Sequence, residues 1–116
     1  MPDSVRSAGS GAFAECGGLY HVKLSCNLSA IASGLFSGCA ALEEIEIPAS
    51  AEGIGQNAFQ RCAALKKVTV LSPFTTVQST SFTGCGALGD LYTPAGSRAE
   101  TWFAKNMKNV AVHALP

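Results

Sequence analysis

Charged residues are scarce in this sequence, and neither sign of charge dominates. Only 14% of the 116 residues are charged, and eight basic residues balance eight acidic ones, which gives a formal net charge of zero. A nucleic-acid-binding surface needs a surplus of Lys and Arg on one face. We therefore expect no nucleic-acid partner.

Two kinds of apolar segment are missing as well. No apolar run approaches the roughly 20 residues that cross a bilayer, so we expect no membrane insertion by this segment. Residues 1–5 (MPDSV) lack the basic and apolar regions of a signal peptide. The sequence itself therefore does not identify the compartment.

Hydrophobic residues, in contrast, are plentiful at 47% of the chain. This proportion is enough to form a core and argues against disorder. The length is in the range of one domain, and we assign residues 1–116 to a single one.

A 23-residue repeat organises this domain. Each copy contains a Phe, a Cys three residues later and a Leu three residues after the Cys, followed by a second apolar residue. A fixed period of this length is typical of a solenoid, in which each repeat packs on its neighbours. We predict repeats at residues 2–24, 25–47, 48–70 and 71–93 and a C-terminal cap at 94–116. The recurring residues are Phe13, Phe36, Phe59 and Phe82; Cys16, Cys39, Cys62 and Cys85; Leu19, Leu42, Leu65 and Leu88; and Val22, Ile45, Val68 and Leu91.

Each copy combines a turn and a short strand. Phe and Cys three residues apart lie on one face of a helical turn, so both can point inward. The Leu-x-x-apolar-x-apolar segment ends in the alternation of a half-buried strand. We predict strands at residues 21–24, 44–47, 67–70 and 90–93, stacked in parallel about 4.8 Å apart. Glycines at the corners are expected to supply positive φ or close backbone approach.

The two ends of the array differ. Ser97 and Glu100 form a capping box, which predicts a helix from about Arg98 that covers the last repeat. Residues 110–113 are predicted to add a last strand. No cover precedes the first repeat, and Pro2-Asp-Ser-Val is already in register with Pro48. We therefore expect a segment of a longer array, with possible self-association through the uncapped first repeat, where Val5 and Phe13 would be exposed.

The composite pattern I-P-x-S-V-x-x-I-G-x-x-A-F-x-x-C-x-x-L-x-x-V-x-I resembles the BspA-like leucine-rich repeat family. The matching residues are Ile47, Pro48, Ile54, Gly55, Ala58, Phe59, Cys62, Leu65, Val68 and Val70. The resemblance implies an α/β repeat solenoid: a right-handed leucine-rich-repeat stack of short parallel strands and short helical turns with a C-terminal capping helix. It also implies a cell-surface or secreted location and a role in adhesion.

The cysteine column is the strongest candidate for chemistry, and its geometry argues against a reaction. A column with one Cys per repeat cannot converge on a tetrahedral metal ion. Disulfides between repeats are disfavoured because parallel Cβ atoms stand farther apart than the preferred ~3.8 Å. We interpret the column as buried free thiols, and we expect Cys26, which lies at a turn, to be exposed and to react first. His21 would not reach Cys16, so we predict no catalytic residue, no metal site and no cofactor.

The outward strand positions are the predicted binding surface. Charges alternate along them, with Glu43 beside Lys66, Glu44 beside Lys67, Lys67 beside Asp90 and Lys23 beside Glu46, which would hold the register. One hypothesis is a non-catalytic module that binds a protein ligand such as a host or matrix protein; the alternative is a structural spacer without a ligand. The candidate binding residues are Tyr20, His21, Lys23, Glu44, Glu46, Lys67, Thr69, Asp90 and Tyr92.

Overall fold

Alternating polar and apolar residues form the main sheet of the computed structural model, which describes residues 1–116. In β1 (Glu44–Ile47) both isoleucines are buried and both glutamates are exposed. The same alternation recurs in β3 (Lys67–Val70) and β5 (Asp90–Pro94). Together with β6 (Ala111–Leu115), these strands form a parallel sheet in the order β1-β3-β5-β6. Two shorter strands, β2 (Gly53–Ile54) and β4 (Thr76–Val77), pair in parallel as a second sheet.

The strand register follows the 23-residue period of the sequence. Ile45 pairs with Val68, and Val68 pairs with Leu91, so each core position lies directly beside its equivalent in the next coil. The predicted strands at 44–47 and 67–70 are confirmed, and the one at 90–93 is confirmed with one further residue. The last strand is also present, at 111–115 rather than 110–113.

The predicted strand at residues 21–24 is wrong, because this segment has no regular secondary structure. The amide of Glu43 donates to Tyr20 O at 3.2 Å, which begins the ladder as in later coils. At the other end of β1, Ile47 O accepts from the amide of Leu71. One repeat earlier the corresponding residues are Leu24 and Pro48, and the nitrogen of Pro48 has no hydrogen to donate. The neighbouring carbonyl, Lys23 O, accepts from the N-terminal ammonium of Met1 at 3.1 Å.

The turns of successive coils are stacked around a column of phenylalanines. The rings of Phe13, Phe36, Phe59 and Phe82 lie parallel, with centroids 5.6, 5.5 and 5.3 Å apart. The predicted helical turns are single i→i−3 turns; for example, Cys39 N donates to Phe36 O at 3.1 Å. The amides at alternate turn positions donate to the next coil instead, as Phe36 N does to Ala58 O at 2.8 Å.

The same corner in each coil has a positive φ, whether or not glycine occupies it. Glycine stands there at Gly38 (φ 76°) and Gly84 (φ 80°), but Glu15 (φ 61°) and Arg61 (φ 58°) take the same conformation. The carboxylate of Glu15 pairs with the guanidinium of Arg61 at 2.9 Å, two coils away. The two side chains meet across Gly38, where an added Cβ would lie 2.6 Å from Glu15 Cδ.

The helix α1 (Arg98–Asn106) covers the last coil as predicted. Ser97 Oγ accepts from the amide of Glu100 at 3.1 Å, which is the first bond of a capping box. The Glu100 carboxylate accepts from Gly96 N at 2.6 Å, one residue before the N-cap amide, which bonds to Pro94 O instead. Phe103 is buried, with its ring centroid 5.2 Å from that of Phe82. At nine residues, α1 is too short to cross a bilayer, and the chain has no other helix.

The opposite end of the stack is less covered. Val5 and Phe13 in the first coil are only partly buried, whereas the equivalents of Phe13 in later coils are buried. This difference arises because no coil packs on the outer side of the first one. Self-association through this coil stays a prediction.

Candidate functional site: the exposed strand face

The outward side of the main sheet, together with residues 20–23 beside it, forms what we call the strand face. Glu44, Lys67 and Asp90 form one row across it, and Glu46, Thr69 and Tyr92 form the next. These rows are the columns that the 23-residue period predicts, because the outward positions of parallel strands in register lie side by side.

The strand face contains a depression of about 280 Å³ over β1. Its floor is formed in part by Ile45, and its walls are charged or polar side chains. Six of the nine predicted binding residues line it: His21, Lys23, Glu44, Glu46, Lys67 and Thr69.

Asp90 and Tyr92 lie at the other end of the face, in a cluster with a residue from the tail. The imidazole of His113 stacks on the Tyr92 ring at 4.5 Å and places its Nε2 2.9 Å from Asp90 Oδ1. On the other side, Lys67 Nζ lies 4.8 Å from the centre of the Tyr92 ring, in cation–π geometry. Tyr92 is therefore held between two groups that carry or can carry positive charge.

His113 also belongs to this surface, although its sequence position does not predict it. A step of 23 residues aligns His113 with Asp90, but β6 pairs with β5 at a step of 21, so that His113 lies beside Tyr92. The pattern of residues 111–115 indicates a strand, but the 23-residue spacing does not indicate that this strand pairs with β5 two residues out of the repeat register.

One of the four predicted charge pairs forms. Lys66 Nζ lies 3.4 Å from Glu43 Oε1. Lys67 forms no ion pair within 4.0 Å with Glu44 or Asp90, because its ammonium lies over Tyr92 and Asp90 is paired with His113. Lys23 and Glu46 do not pair either. The predicted neighbours Glu44–Lys67 and Lys67–Asp90 do lie side by side in the sheet, but among the four predicted pairs only Glu43–Lys66 forms an ion pair.

The depression consequently retains charges without partners. Lys23, Glu44 and Glu46 are exposed, and none of their side chains has a hydrogen bond or an ion pair within the protein. Charges that neighbouring side chains do not neutralise are free to interact with a ligand, and their mixed signs would favour a partner with complementary charges.

Two exposed aromatic residues lie outside this depression. Tyr20, a predicted binding residue, is 68% exposed and does not line the depression. Phe74, which was not singled out from the sequence, is 72% exposed and precedes β4 on a different surface.

The thiols of the cysteine column point inward and form hydrogen bonds. Sγ of Cys39, Cys62 and Cys85 donates to the carbonyl of Phe13, Phe36 and Phe59, at 3.1, 3.2 and 3.0 Å. All five cysteines are free, and Cys16 at the open end is only partly buried. Burial raises the pKa of the Cys39 thiol. The chain contains no group of three His, Cys, Asp or Glu side chains arranged to hold a metal ion.

Cys26 is exposed, as predicted, and lies beside Asp3. Asp3 Oδ1 accepts from the amide of Cys26 at 3.2 Å, and the interaction of the Asp3 carboxylate with the thiol raises the pKa of Cys26. A raised pKa means less thiolate at a given pH, and the thiolate is the reactive form.

We predict that Asp3→Asn will shift the pH profile of Cys26 alkylation to lower pH, because it removes the negative charge and leaves an amide oxygen for the Cys26 amide. Iodoacetamide labelling followed by peptide mass spectrometry at a series of pH values measures this shift, with Asp90→Asn as the control. In both forms Cys26 should be labelled before Cys39 and Cys62. An unchanged profile in Asp3→Asn would show that Asp3 does not control the thiol.

Comparisons with known proteins agree with this geometry. The family model described as "BspA type Leucine rich repeat region (6 copies)" matches residues 1–108. A crystal structure of a leucine rich cell surface protein from Faecalibacterium prausnitzii A2-165 superimposes with a TM-score of 0.79 at 30% sequence identity. The match covers 96% of this chain but only 28% of that protein. A search of curated proteins finds no match. The match along residues 1–108 shows that the chain belongs to the BspA-type leucine-rich repeat family.

Proposed function

We propose that this chain is a non-catalytic protein-binding module of a cell-surface or secreted adhesin-like protein, and that it binds through the strand face. The observation that carries the proposal is the depression over β1, in which exposed Lys23, Glu44 and Glu46 have no partner in the protein. The similar protein from F. prausnitzii is described as a cell surface protein, which supports the location.

A protein ligand fits this surface better than a small molecule does. Six of the seven residues that line the depression are charged or polar, whereas small-molecule sites are usually lined mostly by apolar side chains. Tyr20 at one edge and Tyr92 at the other supply aromatic groups of the kind that is enriched in the energetically important parts of protein interfaces. Leucine-rich repeats typically bind other proteins, and a surface location would make a host or matrix protein accessible.

A structural spacer is the second candidate, and one observation favours it. Several charged side chains of the strand face already have partners within the protein. Lys66 pairs with Glu43, Asp90 pairs with His113, and Lys67 contacts the ring of Tyr92. If these contacts serve only to hold neighbouring coils in register, the face needs no ligand.

We predict that Glu44→Lys will weaken binding to a matrix protein about tenfold, while Glu52→Lys will leave it unchanged. Both substitutions reverse the same exposed charge, but only Glu44 lines the depression. Losing a charge-assisted contact and gaining a repulsive one accounts for a change of this size. Biolayer interferometry on immobilised fibronectin, laminin and collagen would measure it, with the thermal unfolding of both variants as a check on folding. Equal affinity of the two variants, or no binding to any of the three proteins, would favour the spacer.

A further inference from the structure

A second groove lies between the cap helix α1 and strand β4, and it shares no residue with the depression on the strand face. Its volume is about 460 Å³. Thr76 and Val77 of β4 form one wall, and Arg98, Trp102 and Lys105 of α1 are on the other. The groove exists because α1 takes the place where a further coil would otherwise pack on β4.

The β4 wall presents an unpaired backbone edge. Ile31 is the residue equivalent to Ile54 of β2 in the preceding coil, and both of its main-chain groups bond to the coil that follows it. Its amide donates to Gly53 O at 2.9 Å, and its carbonyl accepts from Gly55 N at 2.7 Å. Val77 is the equivalent residue in the last coil. β4 bonds to the preceding coil through the amides of Thr76 and Gln78, so the N–H and C=O of Val77 point to the other side, toward the groove. An open strand edge of this kind can pair with another extended chain.

The charge of the groove is positive. Arg98 and Lys105 are exposed, neither belongs to an ion pair of the protein, and no acidic residue lines the groove. The one acidic residue in the first turn of α1, Glu100, is engaged by the amide of Gly96 at 2.6 Å. Because the chain has no net charge, two free cations on one wall are a local feature and not part of a general basicity.

Trp102 lies between Arg98 and Lys105 on this charged wall, and Phe74 lies in a depression beside it. Trp102 is half-buried, its ring centroid lies 6.0 Å from that of Phe82, and its side chain lines the groove. An adjoining depression of about 380 Å³ shares Thr76 and Arg98 with the groove and contains Phe74, which is 72% exposed. Glu52 also lines this depression, so the positive charge is confined to the groove along α1, and the depression offers the aromatic ring of Phe74 and not a basic surface. A large aromatic side chain with this exposure contributes little to the core and is available to a ligand.

We propose that this groove binds an extended acidic peptide segment of a partner protein, which adds to the edge of β4 as a further strand. The peptide main chain would pair with the N–H and C=O of Val77. Carboxylates of the peptide would contact Arg98 and Lys105, and an apolar side chain would pack on Phe74. The proposal is independent of binding at the strand face, so either can fail without affecting the other.

Trp102 is the only tryptophan in the chain, so its fluorescence reports directly on the groove. The probe is a blocked hexapeptide of alternating Glu and Val, titrated at low ionic strength, and its counterpart alternates Lys and Val. We expect a saturable change in Trp102 emission with the Glu–Val peptide only. Binding should weaken at least several-fold when salt is raised, because exposed charges are screened.

Matched variants locate the interaction. Lys105→Glu should weaken the affinity about tenfold or more, while Lys108→Glu, the same change on an exposed lysine outside the groove, should not alter it. If Lys105→Glu does not fold, Lys105→Gln removes the charge with less disturbance and should still weaken binding. Phe74→Ala should weaken binding several-fold.

Hydrogen exchange of the Val77 amide tests strand addition itself. The free protein should exchange this amide rapidly, and the Glu–Val peptide should slow exchange at Val77 at least tenfold, as followed by NMR. Equal binding of the two peptides, equal effects of the Lys105 and Lys108 variants, or binding without protection of Val77 would each overturn the proposal.

Discussion

Phe59→Ala is expected to lower the free energy of unfolding by about 3–5 kcal/mol. Phe59 is fully buried, and its ring stacks on both neighbours, at 5.5 Å from Phe36 and 5.3 Å from Phe82. Alanine would remove the apolar contacts on two sides and leave a cavity in the middle of the column. Coils in a solenoid contact only their neighbours, so no other element can move in to fill it. Urea unfolding followed by circular dichroism gives the difference.

Phe74→Ala is the matched control for this measurement. The same side chain is removed from a position that is 72% exposed, so the free energy of unfolding should change by no more than about 0.5 kcal/mol. A comparable loss of stability in both variants would contradict a core built around the phenylalanine column.

Gly55→Ala is expected to lower the free energy of unfolding by about 1–3 kcal/mol, although it adds only one methyl group. A Cβ on Gly55 would lie 2.7 Å from Ser33 N and 3.0 Å from Ile31 O. Both are backbone atoms of the preceding coil, so the two coils would have to separate at a point where Gly55 N donates to Ile31 O at 2.7 Å. Overpacking of this kind cannot be relieved by a side-chain rotation.

Gly86→Ala provides the comparison, since a Cβ there meets no atom within 4 Å and the backbone does not have a positive φ. This substitution should be neutral or stabilise the protein by up to about 1 kcal/mol, because alanine restricts the unfolded chain. Thermal unfolding of the two variants measures the difference. Equal unfolding midpoints would show that the two coils can separate at Gly55 without a loss of stability.

The contrast between these two glycines illustrates what the sequence could predict. The period placed the phenylalanines, the cysteines and the strand residues of the second, third and fourth coils correctly, because a repeated pattern imposes a similar environment in successive coils. It could not separate Gly55, which has a close backbone neighbour, from Gly86, which has none. That difference depends on distances of a few tenths of an ångström between coils.

The ends of the array were harder to predict than its middle. Ser97 and Glu100 indicated the start of α1 because capping is a local interaction. The loss of the strand at residues 21–24 depends instead on what lies beside it, including a proline in the next coil that has no N–H to donate. The position of His113 beside Tyr92 likewise depends on a change of register that a constant period does not contain.

On the strand face, the sequence predicted which side chains share a surface but not which of them pair. Lys67 had two acidic neighbours in the predicted columns, and its ammonium lies over the ring of Tyr92 instead. Rotamers of long side chains decide such contacts, and neighbouring charges a few ångströms apart differ little in energy at an exposed site.

The pair between Glu15 and Arg61 has a consequence for how the stack opens. It connects the first coil to the third and passes over the second at Gly38, so the first coil cannot detach while this contact holds. Both side chains are about two-thirds exposed, at 66% and 64%, so the pair contributes at most about 1 kcal/mol. Its effect therefore lies in the fraying of the open end and not in global unfolding. Amide exchange in residues 11–19 should accelerate with added salt, while exchange in β3 and β5 should remain the same.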